Sequence, residues 1–562
     1  MELYRVAHLT FAYPNCEIKD LHKGMKEHKK PVIHDCSFRV EEGSFVTLCG
    51  GTGSGKTTLL RLLKKELQPA GMVDGDIDYR GSALADYAYG DTAAEIGFVM
   101  QNPEDQPVTD RVWHEMAFGL ENMGTASEEI RRRVAEISAY FGIDDWYEKE
   151  VDELSGGQKQ LLNLAAVMVM RPRVLLLDEP TAQLDPIAAQ NFMNILVRLN
   201  RELGMTIILA EHRLEEALAI SDQVIVLQDG MIFRQGTPRQ IALYVEETET
   251  IYEAMPCAVR LFRSLNDKEN ITDVPITVTQ GRRWMRNRYA PARESVMQMQ
   301  NTNGKDVYTK MSSAKMSSAK RQEDIKPALE CRNIWFHYKK TRDIICGISF
   351  QMQQGEIVSL FGSNGSGKTT LLHVLAGISK PNAGAVHVLT ERVGYLPQQV
   401  ESLFVADTVE EELRLAGAEP SVRLAEYGQV HPYDLSGGEK QLLAWEKVLA
   451  GKPGLLLLDE PTKGLDASAR REVGDRLRVL KNSGVSILMV THDIELAAAV
   501  SDRCGMLFRG ELLALDGTRA FFHGNRFYTT AAARISQDLF NDVLTEDELI
   551  EKCLMLDEPG SR

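Results

Sequence analysis

No stretch of this sequence is both long enough and apolar enough to span a lipid bilayer. The longest apolar runs, such as LLNLAAVMVM at 161–170, reach about half of the ~20 residues that a spanning helix requires. The chain is therefore expected not to cross a membrane, which leaves a peripheral position open. MELYRVAHLTF holds no basic segment followed by an apolar one, so no export signal is expected there. Cysteine is sparse and unorganised. The eight cysteines are scattered without a C-x-x-C pair, which argues against a metal cluster or disulfide framework and for a reducing cytoplasm. Positive charge is short as well: 64 Lys and Arg against 80 Asp and Glu leave a net charge of −16. A nucleic-acid binder needs a basic face to neutralise phosphates, so no nucleic-acid partner is expected.

What is present is a chain of 562 residues, too long for one core and suggestive of two to four domains at roughly 150 residues each. It is written twice. GGTGSGKTT (50–58) returns as GSNGSGKTT (362–370), LSGGQKQLL (154–162) as LSGGEKQLL (435–443), and LLLDEPTAQLD (175–185) as LLLDEPTKGLD (456–466). Ser155 precedes Asp178 by 23 residues and Ser436 precedes Asp459 by 23, so the back halves are in register. Between lysine and signature serine the first copy takes 99 residues and the second 68, which places the larger insertion in the first. Internal repetition of this kind defines domains: 1–245 and 327–525. Residues 246–326 read as a linker with one short ordered patch and a polar low-complexity tract, the tandem MSSAKMSSAK (311–320). Residues 526–562 carry helical spacing in ISQDLFNDVLTEDELIEKCLML and read as an appended helical tail.

Each glycine-rich stretch follows an apolar strand pattern, SFVTLC (44–49) or EIVSLF (356–361), and precedes a leucine-rich helical one. That context separates a phosphate-binding P-loop from a chance match. Gly50, Gly53 and Gly55, with Gly362, Gly365 and Gly367 in the second copy, let backbone N–H groups turn inward around phosphates, and the helix N-terminus favours the anion. Ser54, Thr58, Ser366 and Thr370 complete the two loops. Lys56 and Lys368 are expected to reach the β- and γ-phosphates, and Thr57 and Thr369 to place a hydroxyl on Mg²⁺. VLLLDEP and LLLLDEP are buried-strand runs ending in two acids: Asp178 and Asp459 are expected to hold Mg²⁺, with Glu179 and Glu460 as general bases toward water. A third LMLDEP, at 554–559, lacks a preceding P-loop and reads as coincidence.

LSGGQ and LSGGE each place a Ser-Gly-Gly turn at the start of a helix, a second phosphate-binding element in the same domain. Both elements of one domain grip one γ-phosphate only if two domains meet head to tail. These residues, in this order and twice over, resemble the ATP-binding cassette (ABC) ATPases across 1–245 and 327–525. The resemblance implies an α/β fold of two tandem P-loop NTPase domains, each a RecA-like core with an antiparallel β subdomain and a helical signature subdomain. It implies ATP and Mg²⁺ as ligands and an intramolecular head-to-tail pair of cassettes. Ser155, Gly156 and Gly157 would then serve the nucleotide on Lys368, and Ser436, Gly437 and Gly438 the one on Lys56.

The remaining family positions follow from the same resemblance. Tyr13 and Tyr338 match the aromatic that stacks on adenine, His212 and His492 the histidine that contacts the γ-phosphate and water, and Asp185 and Asp466 the acid that reaches across the dimer. Gln101 and Gln398 match the glutamine that ligands Mg²⁺ and links the ATP site to whatever the cassette drives. QNPEDQ (101–106), AEHRLEEA (210–217) and VPITVTQGRRW (274–284) resemble the fused, two-cassette ATPases of energy-coupling factor transporters, importers of vitamins, their precursors and metal ions. That resemblance implies a transmembrane coupling subunit docked on Glu104, Asp105 and Glu401, a small substrate-binding membrane protein, and a place on the cytoplasmic face of the membrane. Two rivals remain. A double-cassette ATPase acting on ribosomes would carry a long basic helical linker, and the fused ATPase of a sugar importer commonly has a degenerate second P-loop, whereas GSNGSGKTT is intact.

Overall fold

The computed structural model describes residues 1–14, 31–265, 273–302, 326–338, 342–419, 421–525 and 528–557, with side chains described to residue 290 in the helix Val278–Thr302. The MSSAK repeat lies outside the described residues. The chain divides into two compact units, Met1–Pro256 with Asp466–Ser468, and Cys257–Leu465 with Ala469–Arg562.

In the first unit a six-stranded sheet runs, edge to edge, Met231–Gly236, Gln223–Gln228, Phe45–Cys49, Thr206–Ala210, Val174–Asp178 and Ile96–Val99. All pairs are parallel except the first. Its central strands are buried along their whole length because both faces are covered. Leu175 and Leu177 enter one core cluster while Val174 and Leu176 enter another, and Ile207 and Leu209 part from Ile208 and Ala210 in the same way. The unbroken apolar runs of the sequence are thus period-two strands seen from both sides. A four-stranded antiparallel sheet, Ile33–Glu41, Glu2–Ala12, Met72–Tyr79 and Ser82–Ala83, forms the β subdomain. Helices Val112–Asn122, Ser127–Phe141 and Gly156–Val169 form the helical one.

The second unit repeats the plan, with parallel strands Val393–Leu396, Leu455–Asp459, Ser486–Val490, Ile357–Phe361 and Arg503–Phe508 closed by the antiparallel Glu511–Gly517. Its helical subdomain is abbreviated. Where the first unit has helices of 11 and 15 residues before the signature helix, the second has Val409–Ala416 and Val422–Ala425, of 8 and 4. About half of the shortening between lysine and signature serine falls there, and the rest lies between the P-loop lysine and the first of these helices.

The segments 246–326 and 526–562 supply helices that pack on one another. Helix Cys257–Leu265 and the first turns of Val278–Thr302 share one hydrophobic core with Ala531–Ser536 and Glu546–Asp557. Leu261, Met285, Tyr289, Ile535, Leu549 and Cys553 are its buried centre. Gly281 permits the close approach, since a Cβ there would lie 2.9 Å from the Ala258 Cβ. Arg260 Nε donates to Glu546 Oε2 at 2.9 Å, and Arg282 Nη2 to the Arg534 carbonyl at 2.8 Å. Asp557, from the third LMLDEP, accepts from Tyr289 Oη at 3.1 Å, so it serves this helical bundle.

Candidate active site

The parallel register brings the chemistry to one edge of each sheet. Asp178 pairs with Ala210 at the carboxyl ends of their strands, and Asp459 pairs with Val490. The P-loop leaves the neighbouring strand and enters helices Lys56–Leu62 and Lys368–Leu375 through Gly55 and Gly367, whose φ values of 98° and 97° are left-handed. A Cβ on Gly50 would lie 2.1 Å from the Leu227 carbonyl, so no larger residue fits that turn. The lysines fold over their loops. Lys56 Nζ donates to Gly50 O and Gly51 O, each at 3.0 Å, and Lys368 Nζ to Gly362 O at 2.8 Å and Ser363 O at 3.1 Å. Ser54 Oγ and Ser366 Oγ are buried without a hydrogen-bond partner among the described residues.

Glu179 is the meeting point of the first centre. His212 Nε2 lies 2.6 Å from its Oε1, Lys56 Nζ 3.7 Å from the same oxygen, and Gln101 Nε2 donates to its Oε2 at 3.0 Å. In the second centre His492 Nε2 lies 3.2 Å from Glu460 Oε1, and the His492 amide donates to Glu460 Oε2 at 3.0 Å. Both glutamates hold left-handed backbones, φ 45° and 51°. Such strain in a non-glycine residue persists only where the surroundings over-determine it, and it recurs here at the same position of both copies. Gln398 lies two residues beyond the strand Val393–Leu396 and is exposed.

Thr57 Oγ1 donates to Asp178 Oδ1 at 3.0 Å, and Thr369 hydrogen-bonds Asp459. Burial, reinforced by Glu179, pushes the Asp178 carboxyl up to about 6. Burial likewise raises Asp459, and it raises Glu460 to about 7. Asp459 Oδ2 is buried with no hydrogen-bond partner among the described residues. A hydroxyl beside a buried carboxylate with a spare oxygen is a fitting donor set for Mg²⁺, whose charge offsets the burial that disfavours ionisation.

Tyr13 and Tyr338, expected to stack on adenine, are exposed by 39% and 45%. Tyr13 Oη lies 3.3 Å from Thr58 Oγ1, beside the P-loop helix. Ser155 and Ser436 are N-caps, each accepting from the amide three residues on in a reciprocal capping box with Gln158 or Glu439. Gly156, Gly157, Gly437 and Gly438 open the two signature helices. Asp185 Oδ1 accepts from the amides of Ile187 and Ala188, capping its own helix. Asp466 stands at the equivalent place, just before helix Ala467–Asn482.

Within the chain Lys159 bonds Glu104, whose side chain stays 48% exposed. Glu401 is similarly met by Lys440 at 3.6 Å. Asp105 is exposed. One bracing residue escaped sequence reasoning altogether. Glu211, 3% exposed, accepts from Thr181 Oγ1 at 2.6 Å and from the His212 amide at 2.9 Å, tying the Walker B loop to the histidine. The signal was the acid in AEHR standing where the second copy has Thr491.

Comparison with known proteins decides the family. A family described as ABC transporter matches residues 33–182 and 345–463. A protein of Bacillus thuringiensis subsp. konkukian is 40% identical over 566 aligned residues, spanning 96% of this chain and 98% of that one; it is described, provisionally, as an ABC transporter ATP-binding protein. The chain belongs to the ABC transporter ATP-binding family. It is thus an ABC ATPase with two cassettes, using ATP and Mg²⁺. A Streptomyces coelicolor relative of this ABC ATPase, described in the same provisional words, is 33% identical over 87% of this chain and 92% of its own. Among solved structures, an archaeal ribosome recycling factor, aABCE1, in complex with the ribosomal stalk protein aP1, covers 88% of this chain and 89% of its own at a TM-score of 0.55 and 22% identity, a likeness of fold.

Proposed function

We propose that this ABC ATPase is the ATP-hydrolysing subunit of an importer of the energy-coupling factor type. It would power uptake of a vitamin, a vitamin precursor or a metal ion through separate membrane subunits, from the cytoplasmic face of the membrane. The observation that carries the motor is the assembly at Glu179, where P-loop lysine, Q-loop glutamine and switch histidine converge on one carboxylate. That carboxylate orients and deprotonates the attacking water, and the histidine holds it in place. Lys56 and Lys368 exchange their loop carbonyls for phosphate oxygens, while the turned-in amides of each loop bind the remaining charge. When bound, magnesium draws electron density from the β- and γ-phosphates. Ser155 and Ser436 close over the nucleotide of the opposite cassette, and Tyr13 and Tyr338 stack on adenine.

The importer subtype is supported by QNPEDQ and AEHRLEEA in the first cassette and by VPITVTQGRRW, whose residues open the helix from Val278. Among the described residues no helix is long and apolar enough to cross a membrane, so transport requires a partner that does. The test is affinity purification of the chain from native membranes, with mass spectrometry of its companions. A multispanning protein accompanied by a small hydrophobic one is the expected result. Ribosomal proteins in their place would overturn the importer reading and leave the ATPase assignment standing.

A further inference from the structure

Each signature helix is fastened to the turn that follows its own Q-loop glutamine, and the same pair does it at the same offsets in both cassettes. Glu104 and Glu401 stand three residues after Gln101 and Gln398; Lys159 and Lys440 stand four after Ser155 and Ser436. Lys159 bonds Glu104, and Lys440 Nζ lies 3.6 Å from Glu401 Oε1. Further bonds back up each pair with different residues. In the first cassette, Gln160 Nε2 donates to Met100 O at 3.3 Å and Asn163 Nδ2 to Pro103 O at 3.1 Å. In the second, Ala444 replaces Asn163, Gln441 Nε2 turns to Pro461 O at 3.0 Å, and Lys447 Nζ reaches Leu403 O at 2.6 Å. Two cassettes that differ in every supporting bond have kept the acid–lysine pair.

The pair is lopsided. The Lys159 side chain is 7% exposed and that of Glu104 48%. A buried ammonium is held to its counter-charge, because an unpaired one is strongly disfavoured; the next acid, Asp152, lies 3.9 Å away with its own side chain in solvent. The glutamate keeps an open side.

We propose that Lys159 and Lys440 are positioning residues: through Glu104 and Glu401 they lock each signature serine to its Q-loop turn, so that the two move as one body during turnover. This rests on the proposed role of Ser155 and Ser436 at the nucleotide of the opposite cassette.

The full chain tests it through steady-state ATP hydrolysis. Glu104→Gln and Lys159→Met each lower kcat roughly fivefold or more, within the usual range of coupling between sites. KM for ATP stays near that of the parent in both; the melting temperature does so in Lys159→Met, whereas Glu104→Gln lowers it by leaving the buried ammonium without its close counter-charge. The exchange Glu104→Lys with Lys159→Glu restores most of kcat, which a loss of packing alone would not allow. Glu401→Gln repeats the measurement in the second cassette, so a first-cassette variant that fails to fold still leaves a readout. Unchanged kcat in the single variants, or an exchanged chain as slow as they are, overturns the proposal. Ser155→Ala separates the two levels: if it leaves kcat intact, the signature role itself fails. If it lowers kcat while Glu104→Gln does not, only the coupling fails.

Discussion

Glu211 and Asp493 do the same work from opposite sides of a histidine. In the first cassette the acid precedes His212 and accepts from Thr181; in the second it follows His492 and accepts from Thr462 Oγ1 at 3.1 Å. Arg213 is therefore tolerated where the second cassette has Asp493, because the brace has moved two positions upstream. Glu211→Ala leaves the buried Thr181 hydroxyl unpaired and should cost about 1–3 kcal/mol. Chemical denaturation of the variant reads it, and an unshifted midpoint would remove the brace. The groups gathered around Glu179 and Glu460 were legible because the motifs fix residue type and spacing together. Glu211 was not, since an acid beside a histidine carries no motif and its partner lies 30 residues away. The Lys159 partner of Glu104 was not legible for a related reason: Lys159 belongs to a different motif, and only the fold brings the two together.

At the same scale the cysteines make a chemical prediction. Burial pushes the thiols of Cys36 and Cys504 up to about 11 and those of Cys49, Cys331 and Cys553 up to about 12. A thiol that ionises later in the folded state leaves stability untouched while both states hold the proton. Stability falls as pH rises from about 9 toward the folded values, because the unfolded chain releases its protons first. These five should resist a chromogenic disulfide reagent at pH 8 in the native protein and react on denaturation. Rapid labelling of all five under native conditions would contradict the burial.

Among the elements, the helical bundle at the end of the second unit shows where sequence reading runs short. Its apolar positions are divided between 257–289 and 531–553, each segment too short to display a core alone. Composition suggested a spacer, yet Cys257, Ala258, Leu261 and Leu265 form one buried stripe, which the partner helices cover. The strands of the two sheets were easier to read, because a run buried on both faces is apolar throughout. Leu549 has no exposed surface and lies far in sequence from both ATP centres. Leu549→Ala should destabilise the bundle by about 2–5 kcal/mol. Limited proteolysis would show it as cleavage near 257–302 well before the cassettes are cut, and an unchanged digestion pattern would deny the shared core.

For the whole molecule the decisive matter is which cassette completes which pocket. A signature serine that caps its own helix and is exposed, as Ser155 and Ser436 are, keeps its hydroxyl and the helix N-terminus at a surface. The opposite P-loop is the partner the proposed mechanism requires. A chain carrying Ser155→Cys and Ser363→Cys, with Glu179→Gln and Glu460→Gln to hold ATP unhydrolysed, should cross-link through a short bismaleimide when ATP and Mg²⁺ are present. Without nucleotide it should cross-link far less; with Cys16 and Cys346 replaced by Ser, the six buried thiols that remain contribute little background. The control pairs Ser155→Cys with Thr52→Cys of its own cassette. Losing the Ser155 cap costs about 1 kcal/mol, too little to unfold the signature helix within a packed subdomain. Gel mobility distinguishes the two linked forms by the size of the closed loop. If ATP instead promoted the bond within one cassette and left 155 and 363 unlinked, head-to-tail closure would be excluded, and with it the route by which hydrolysis is proposed to move a membrane partner.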